Sequence, residues 1–363
     1  MIEIKTGRVI RVLSESKDKT EVLLDIDHPV KKAINYNSLT GKVSVGDMLY
    51  LNTTAGSLSL GTGGWHFVIA NASCKCLDHM PLGHGMKVRY SPMQVQIPFV
   101  EEENKADPDL YNAGLDLRGK LVIFGELHSM LPPACAFLKL YGNGNTKTAY
   151  IMTDHAALPI CFSDNVSLLK QKGLLDLTIT TGNAFGGDKE CVNIYTAFQT
   201  AASMANAIIV TMGPGISGTG TKYGFSGLEL AFYVDLASRY GASCIYIPRI
   251  SFADKRLRHY GISHHSMTIM SEFLHETVYI ALPIVEKKKL KFMFRQIRSA
   301  GLPLSIRLSI LDGRGVEKAM MVYGLETTSM GRGFKDDPCF FLAIGASCAK
   351  GLQLLTVNPV YQK

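Results

Sequence analysis

The chain has 363 residues, with 38 Lys and Arg against 31 Asp and Glu, a net charge of +7. Apolar residues make up 47% and charged residues 19%, which excludes an intrinsically disordered chain. No apolar run reaches the roughly 18 residues a bilayer span needs, so no membrane association is expected.

The N-terminus, Met1-Ile2-Glu3-Ile4-Lys5, carries no apolar core ahead of a small-residue cleavage site, so a cytoplasmic location is expected. The eight cysteines sit mostly in apolar settings, as in Ser243-Cys244-Ile245, and read as reduced, buried thiols. Cys74-Lys75-Cys76-Leu77-Asp78-His79 with His84 is the exception, a cluster able to hold zinc but with uncommon ligand spacing.

In chain order, the first part is β structure. Thr6–Leu13, Thr20–Ile26, Met48–Leu51, Trp65–Ala70 and the segment after Gly85 are short, β-branched strands with glycine turns between them. Residues 1–105 are therefore expected to form a small barrel-like β domain. Glu101–Pro108 is polar and ends in proline, as a linker would.

From residue 106 to 363 the pattern becomes strand–helix alternation. Apolar runs at Lys120–Phe124, Thr148–Met152, Leu175–Thr180, Ala207–Met212, Cys244–Pro248, Thr277–Leu282 and Leu304–Ile310 read as strands buried on both faces. Glu190–Ala205, Ser226–Arg239, Ser266–Leu274 and Pro338–Gly351 read as helices. The fold class is α/β, a doubly wound, mostly parallel sheet. Lys287, Lys288, Lys289, Lys291, Arg295 and Arg298 concentrate the positive surplus on one amphipathic helix. A single basic helix face is narrower than a nucleic-acid footprint, so no nucleic acid is expected.

Chemistry-bearing residues cluster in the loops that follow strands, while loops entering strands are plain. Ligands in such folds bind outside the C-terminal edge of the sheet. Gly213-Pro214-Gly215-Ile216-Ser217-Gly218 follows a strand directly, and Thr219, Gly220 and Lys222 extend it. This loop reads as an anion cradle, as a dinucleotide loop with Arg249 taking an NADP 2′-phosphate, or as a structural glycine turn.

Ser263-His264-His265-Ser266 lies just before a helix, where the dipole favours neutral imidazole. The pair is read as acid/base groups, as a cap with a loop side chain, or as metal ligands. Asp154, Asp188, His264 and His265 are the expected acid/base set, with Arg249 or Arg332 neutralising charge; no metal is assigned and the cofactor is left open. The expected ligand is a small anion, the leading class hydrolysis or group transfer, and a homo-oligomer is compatible with the chain. An NADP-dependent oxidoreductase and a non-catalytic ligand-binding or assembly protein are the rivals.

Several segments together carry a resemblance: Ala149-Tyr150-Ile151-Met152-Thr153-Asp154 with Ala157-Leu158-Pro159, Ala184-Phe185-Gly186-Gly187-Asp188, Ile250-Ser251-Phe252-Ala253-Asp254, Ser263-His264-His265 and Met330-Gly331-Arg332-Gly333. With the Gly213–Lys222 loop and Gly83-His84, Met86-Lys87 and Arg89-Tyr90, they make the chain resemble a bacterial family of uncharacterised proteins carrying a domain of unknown function. The resemblance implies a cytoplasmic protein and supplies no reaction.

Overall fold

The structure is a computed structural model that describes residues 1–58, 64–74, 83–103, 109–142, 144 and 146–357. The chain divides into two compact units, Met1–Ile97 and Pro98–Lys363.

In the first unit five strands close a barrel: β1 (Ile4–Glu15), β2 (Lys19–Asp25), β3 (Lys32–Tyr36), β4 (Met48–Asn52) and β5 (Trp65–Asn71). Every pairing is antiparallel except β3 with β5. The two-residue period of the strands turns Val22 and Leu24, with Ile26 beyond β2, inward onto Val9, Leu49, Leu51 and Val68. Strand β3 is absent from the sequence reading because its apolar pattern is short: Lys32-Ala33-Ile34-Asn35-Tyr36 buries only Ala33 and Ile34 as apolar residues. A hairpin of β6 (Gly85–Lys87) and β7 (Val95–Ile97) stands outside the barrel sheet. The strand expected to run on to Tyr90 stops at Lys87, since Val88 and Tyr90 take positive φ of 52° and 62°. Cys76 and His79 lie outside the described residues, as does part of the expected linker.

The second unit is a parallel eight-stranded sheet built from β8 (Leu121–Gly125), β9 (Thr148–Thr153), β10 (Leu177–Thr180), β11 (Lys189–Glu190), β12 (Ala207–Met212), β13 (Ser243–Ile247), β16 (Val278–Pro283) and β17 (Ile306–Leu311). A small antiparallel pair, β14 (Ile250–Ser251) and β15 (Gly261–Ile262), stands apart. The sheet order is β11-β10-β9-β12-β8-β13-β16-β17.

Helices α1 (Leu131–Tyr141), α2 (Asp164–Gln171), α7 (Gly315–Val322) and α8 (Pro338–Val357) share a core with one face of this sheet. Helices α3 (Ile194–Met204), α4 (Leu230–Arg239), α5 (His264–Glu272) and α6 (Lys287–Ala300) pack on the other. Successive residues of β8 serve opposite cores, Leu121 and Ile123 one, Val122 and Phe124 the other. The doubly wound α/β class read from the sequence is the class observed.

The chain leaves β8 toward β9 through one helical layer and leaves β12 toward β13 through the other. The loops therefore diverge where β8 and β12 lie side by side, which opens a crevice beyond their C-terminal ends.

Besides the short helices α2 and α7, which the sequence pattern does not mark, three differences from the sequence reading stand out. Helix α3 begins at Ile194, because Asn193 caps it by accepting hydrogen bonds from the Tyr195 and Thr196 amides; Lys189–Glu190 pairs with β10 instead. Helix α1 was not expected. It opens Leu131-Pro132-Pro133, and its first eight residues are all buried, so no polar face marks its period. The third concerns membrane spans. Pro338–Thr356 does reach the length and apolarity of a span, with a mean hydropathy of 1.4. Its Phe340, Phe341, Ile344 and Cys348 are buried in the core beneath the sheet.

Candidate functional site

Helix α5 begins two residues earlier than its sequence pattern indicates. Ser263 is its N-cap and accepts a hydrogen bond from the His265 amide, so His264 and His265 form the first turn. Adjacent helical residues ordinarily diverge, yet these two rings lie 4.3 Å apart, centroid to centroid. His259, from the short turn before β15, stands 5.1 Å from each. One nitrogen from each of the three imidazoles falls within 4.8 Å of the others.

The surroundings fix these rings. His265 stacks on Phe225 and also lies against Gly218, where an added Cβ would come 3.3 Å from its ring. His259 Nδ1 is 2.8 Å from Ser263 Oγ, and the Arg258 Nε–H donates to His259 Nε2 at 3.3 Å. His264 Nε2 and His265 Nδ1 are buried with no hydrogen-bond partner among the described residues.

Burial pulls all three imidazoles below their ordinary value of 6.5, His259 and His265 to about 3. The guanidiniums of Arg249, Arg256 and Arg258 and the neighbouring rings add to this. The histidines are therefore neutral, with lone pairs to offer, at neutral pH.

Beside them sits a charged cluster. Asp254 is buried and takes Arg249 at 3.1 Å, Arg256 at 2.8 Å and Arg332 at 3.5 Å. The hydrogen bond from Arg256 leads in holding its carboxyl well below the usual range. Arg332 also reaches Asp337 at 3.3 Å, and Asp337 accepts from Ser251 Oγ at 2.6 Å. Glu126, at the end of β8, is fully buried and accepts from Tyr246 and Ser266. Burial raises its carboxyl despite those bonds and the charge of Arg249.

Arg258 differs from its neighbours: it has no carboxylate partner among the described residues. It is exposed, and it shares with His264 a cleft of about 450 Å³ beside α5 and α6, lined also by Thr268, Ser271 and Gln296.

The expected residues are thus distributed unevenly. Asp154 joins a second group with His155 and Glu229, whose ligand atoms also lie within 4.8 Å of one another. His155 Nδ1 is 3.2 Å from Glu229, Thr153 Oγ1 donates to Glu229 at 2.6 Å, and the Asn183 amide donates to Asp154 at 2.9 Å. Burial and the Asp154 charge raise the Glu229 carboxyl. The cleft that His264 lines is bordered by neither Asp154 nor Asp188.

Asp188 is structural. It pairs with Lys170 and accepts from the Thr178 amide and hydroxyl at 3.0 and 2.8 Å, tying α2 and β10 to the sheet edge. Lys222 lies on the surface in an ion pair with Glu272 at 2.6 Å. Arg249, expected to meet a 2′-phosphate, is 4% exposed and committed to Asp254.

The glycine loop is a folded hairpin. The Thr219 amide donates to Gly224, the Ser226 amide to Ser217, and Gly218 bridges Phe225. Thr219 Oγ1 bonds Thr221, and α4 starts only at Leu230, well past the motif. Gly213 packs on the Ala157 carbonyl and Gly220 on Arg258; Gly215 takes a φ of 110° in open space. The loop's close approaches are to the protein's own Ala157, His265 and Arg258. Those glycines make room for the imidazole cluster.

The sequence reading missed Glu126, Glu229, Arg256, Arg258 and His259 as site residues. The signal was present in Lys255-Arg256-Leu257-Arg258-His259, a charged run lying between an apolar strand and a histidine pair.

No curated protein matches the chain. The profile of one family, described as a protein of unknown function, DUF3866, matches residues 32–348. Its match takes in three of the five barrel strands and the whole eight-stranded sheet, together with every residue of the histidine and arginine clusters, and the chain belongs to this family.

Proposed function

We propose that the second unit is a cytoplasmic small-molecule enzyme of the hydrolase or transferase class, acting on an anionic, phosphorylated ligand in the cleft beside α5. The observation that carries this reading is that exposed Arg258, without a carboxylate partner among the described residues, lines the same cleft as His264, whose Nε2 is buried and unpartnered. Arg258 supplies a planar fork of donors for an oxyanion. His264, neutral at the N-terminus of α5, would take or give a proton next to that charge once its ring turns toward the cleft. Arg249 and Arg332 act at a distance through their positive field, since both are engaged with Asp254.

A thermal-shift panel of inorganic phosphate, pyrophosphate, nucleotides, sugar phosphates and dicarboxylates tests the reading. A ligand at about 100 times its Kd stabilises the folded chain by about 2.7 kcal/mol. The expected result is stabilisation by phosphorylated compounds that is lost in Arg258→Gln. Stabilisation by none of them, or equal stabilisation in the variant, would refute it.

A further inference from the structure

We propose that His259, His264 and His265 form a binding site for one divalent first-row transition metal ion, of the zinc type, with a fourth position open to a small anion or water. The inference stands on the three imidazoles alone; with the ion bound, His264 serves as a ligand, and the proton role proposed above belongs to the metal-free chain.

Four observations support it. The ring nitrogens of the three residues already lie within 4.8 Å of one another. Tetrahedral zinc, at about 2.0–2.1 Å from each nitrogen, spaces its ligands about 3.3 Å apart, so closure asks for side-chain rotations of about 1.5 Å or less. Second, His264 Nε2 and His265 Nδ1 are buried without hydrogen-bond partners, and His265 is only 5% exposed. A buried, unpaired imidazole nitrogen costs free energy, which a metal bond would recover.

Third, the outer contacts are of the kind that orient ligating histidines. Ser263 Oγ holds His259 Nδ1 at 2.8 Å, which leaves Nε2 as the ligating atom once the exposed Arg258 swings aside. Phe225 holds the plane of His265 by stacking. Fourth, His264 lines a cleft open to solvent, through which an ion can reach the cluster.

The charge around the cluster then determines what else binds. Imidazole ligands bring no charge to the ion, and the guanidiniums of Arg249, Arg256 and Arg258 stand in the adjoining cluster and cleft. A bare dication is disfavoured there, and one carrying hydroxide or a substrate oxyanion is favoured. Imidazole sets suit zinc, copper and nickel rather than magnesium or calcium.

The test uses the full chain stripped of metal by chelation. Zinc is titrated calorimetrically, and cobalt(II) serves as the spectroscopic probe. One equivalent of zinc is expected to bind, with cobalt giving visible d–d bands of tetrahedral imidazole ligation and no near-ultraviolet thiolate band. His265→Gln and His264→Gln are each expected to weaken binding at least about tenfold, while His275→Gln, on the exposed turn after α5, leaves it unchanged. Circular dichroism and the melting transition establish that each variant is folded. Should a variant fail to fold, zinc-induced shifts of the three imidazole signals in the wild-type NMR spectrum carry the same decision. No binding by the folded chain, a thiolate band with affinity unaffected by His265→Gln, or imidazole signals that do not move would each overturn the proposal.

Discussion

The imidazole of His265 lies face to face with the ring of Phe225, centroids 4.0 Å apart and planes 7° from parallel. Phe225 comes from the far end of the glycine hairpin, and His265 from the first turn of α5. The contact joins the loop after β12 to the element after β15, and so fixes the histidine cluster from above. Phe225→Ala removes a nearly buried ring and is expected to cost about 3–5 kcal/mol. Phe225→Leu, closer in volume, is expected to cost less than about 1.5 kcal/mol. Urea unfolding of the two variants checks the ordering.

The glycine loop predicts where side chains are tolerated. A Cβ on Gly213 would sit 2.5 Å from the Ala157 carbonyl, a backbone atom with little freedom to move. Gly213→Ala is expected to destabilise by about 1–3 kcal/mol. Gly114 has no neighbour within 4 Å and no positive φ, and Gly114→Ala is expected to stay within about 0.5 kcal/mol of the parent. Melting midpoints of the pair decide.

Two ion pairs contrast in depth. Asp254 is buried among three guanidiniums, whereas Lys222 meets Glu272 on the surface. Asp254→Ala leaves the buried Arg249 without its partner and is expected to cost about 3–5 kcal/mol. Lys222→Ala is expected to cost less than about 1 kcal/mol, and less still in high salt. Equal effects in denaturant titrations would contradict the assignment.

Acid should weaken the fold through its buried imidazoles. His259 and His265 are held down to about 3, and His128, buried against Tyr150 and Ser163, to about 4. In the unfolded chain these groups take up protons near 6.5, so the unfolded state binds more protons below that pH. Stability is retained above about 6.5 and declines as pH falls toward the folded values, with a slope of up to about 1.4 kcal/mol per pH unit from each group. Glu126 and Asp337, raised by burial, act in the opposite sense, from their unfolded values upward. Urea midpoints are expected to be flat from pH 8 to 7 and to drop between about pH 6.5 and 5. A flat profile through that window would show that the histidines are not held neutral.

The fold was legible where burial is two-sided. Runs such as Leu121–Phe124 and Ala207–Val210 are apolar throughout because both layers cover them. Helix α1, buried on all sides, hid for the same reason. Part of the site was legible too: His264, His265, Arg249 and Arg332 lie in or beside the clusters described. Asp188 looked catalytic because a carboxylate in a glycine-rich loop after a strand has no visible partner in sequence. Its partners, Lys170 and Thr178, arrive from α2 and from the opposite end of β10. The glycines of residues 213–220 showed close approach without showing to what. Their neighbours are the Ala157 backbone, a histidine and an arginine of the same chain, and only the tertiary packing reveals that.

The central claim is that Arg258 and His264 receive an anion together. Imidazole nitrogen NMR of the full chain during titration with inorganic pyrophosphate tests it most directly. The account predicts a saturable shift of His264 Nε2 that is absent in Arg258→Gln, while His275 stays still. A His264 signal unmoved at saturating pyrophosphate, or one that moves equally in the variant, would contradict it.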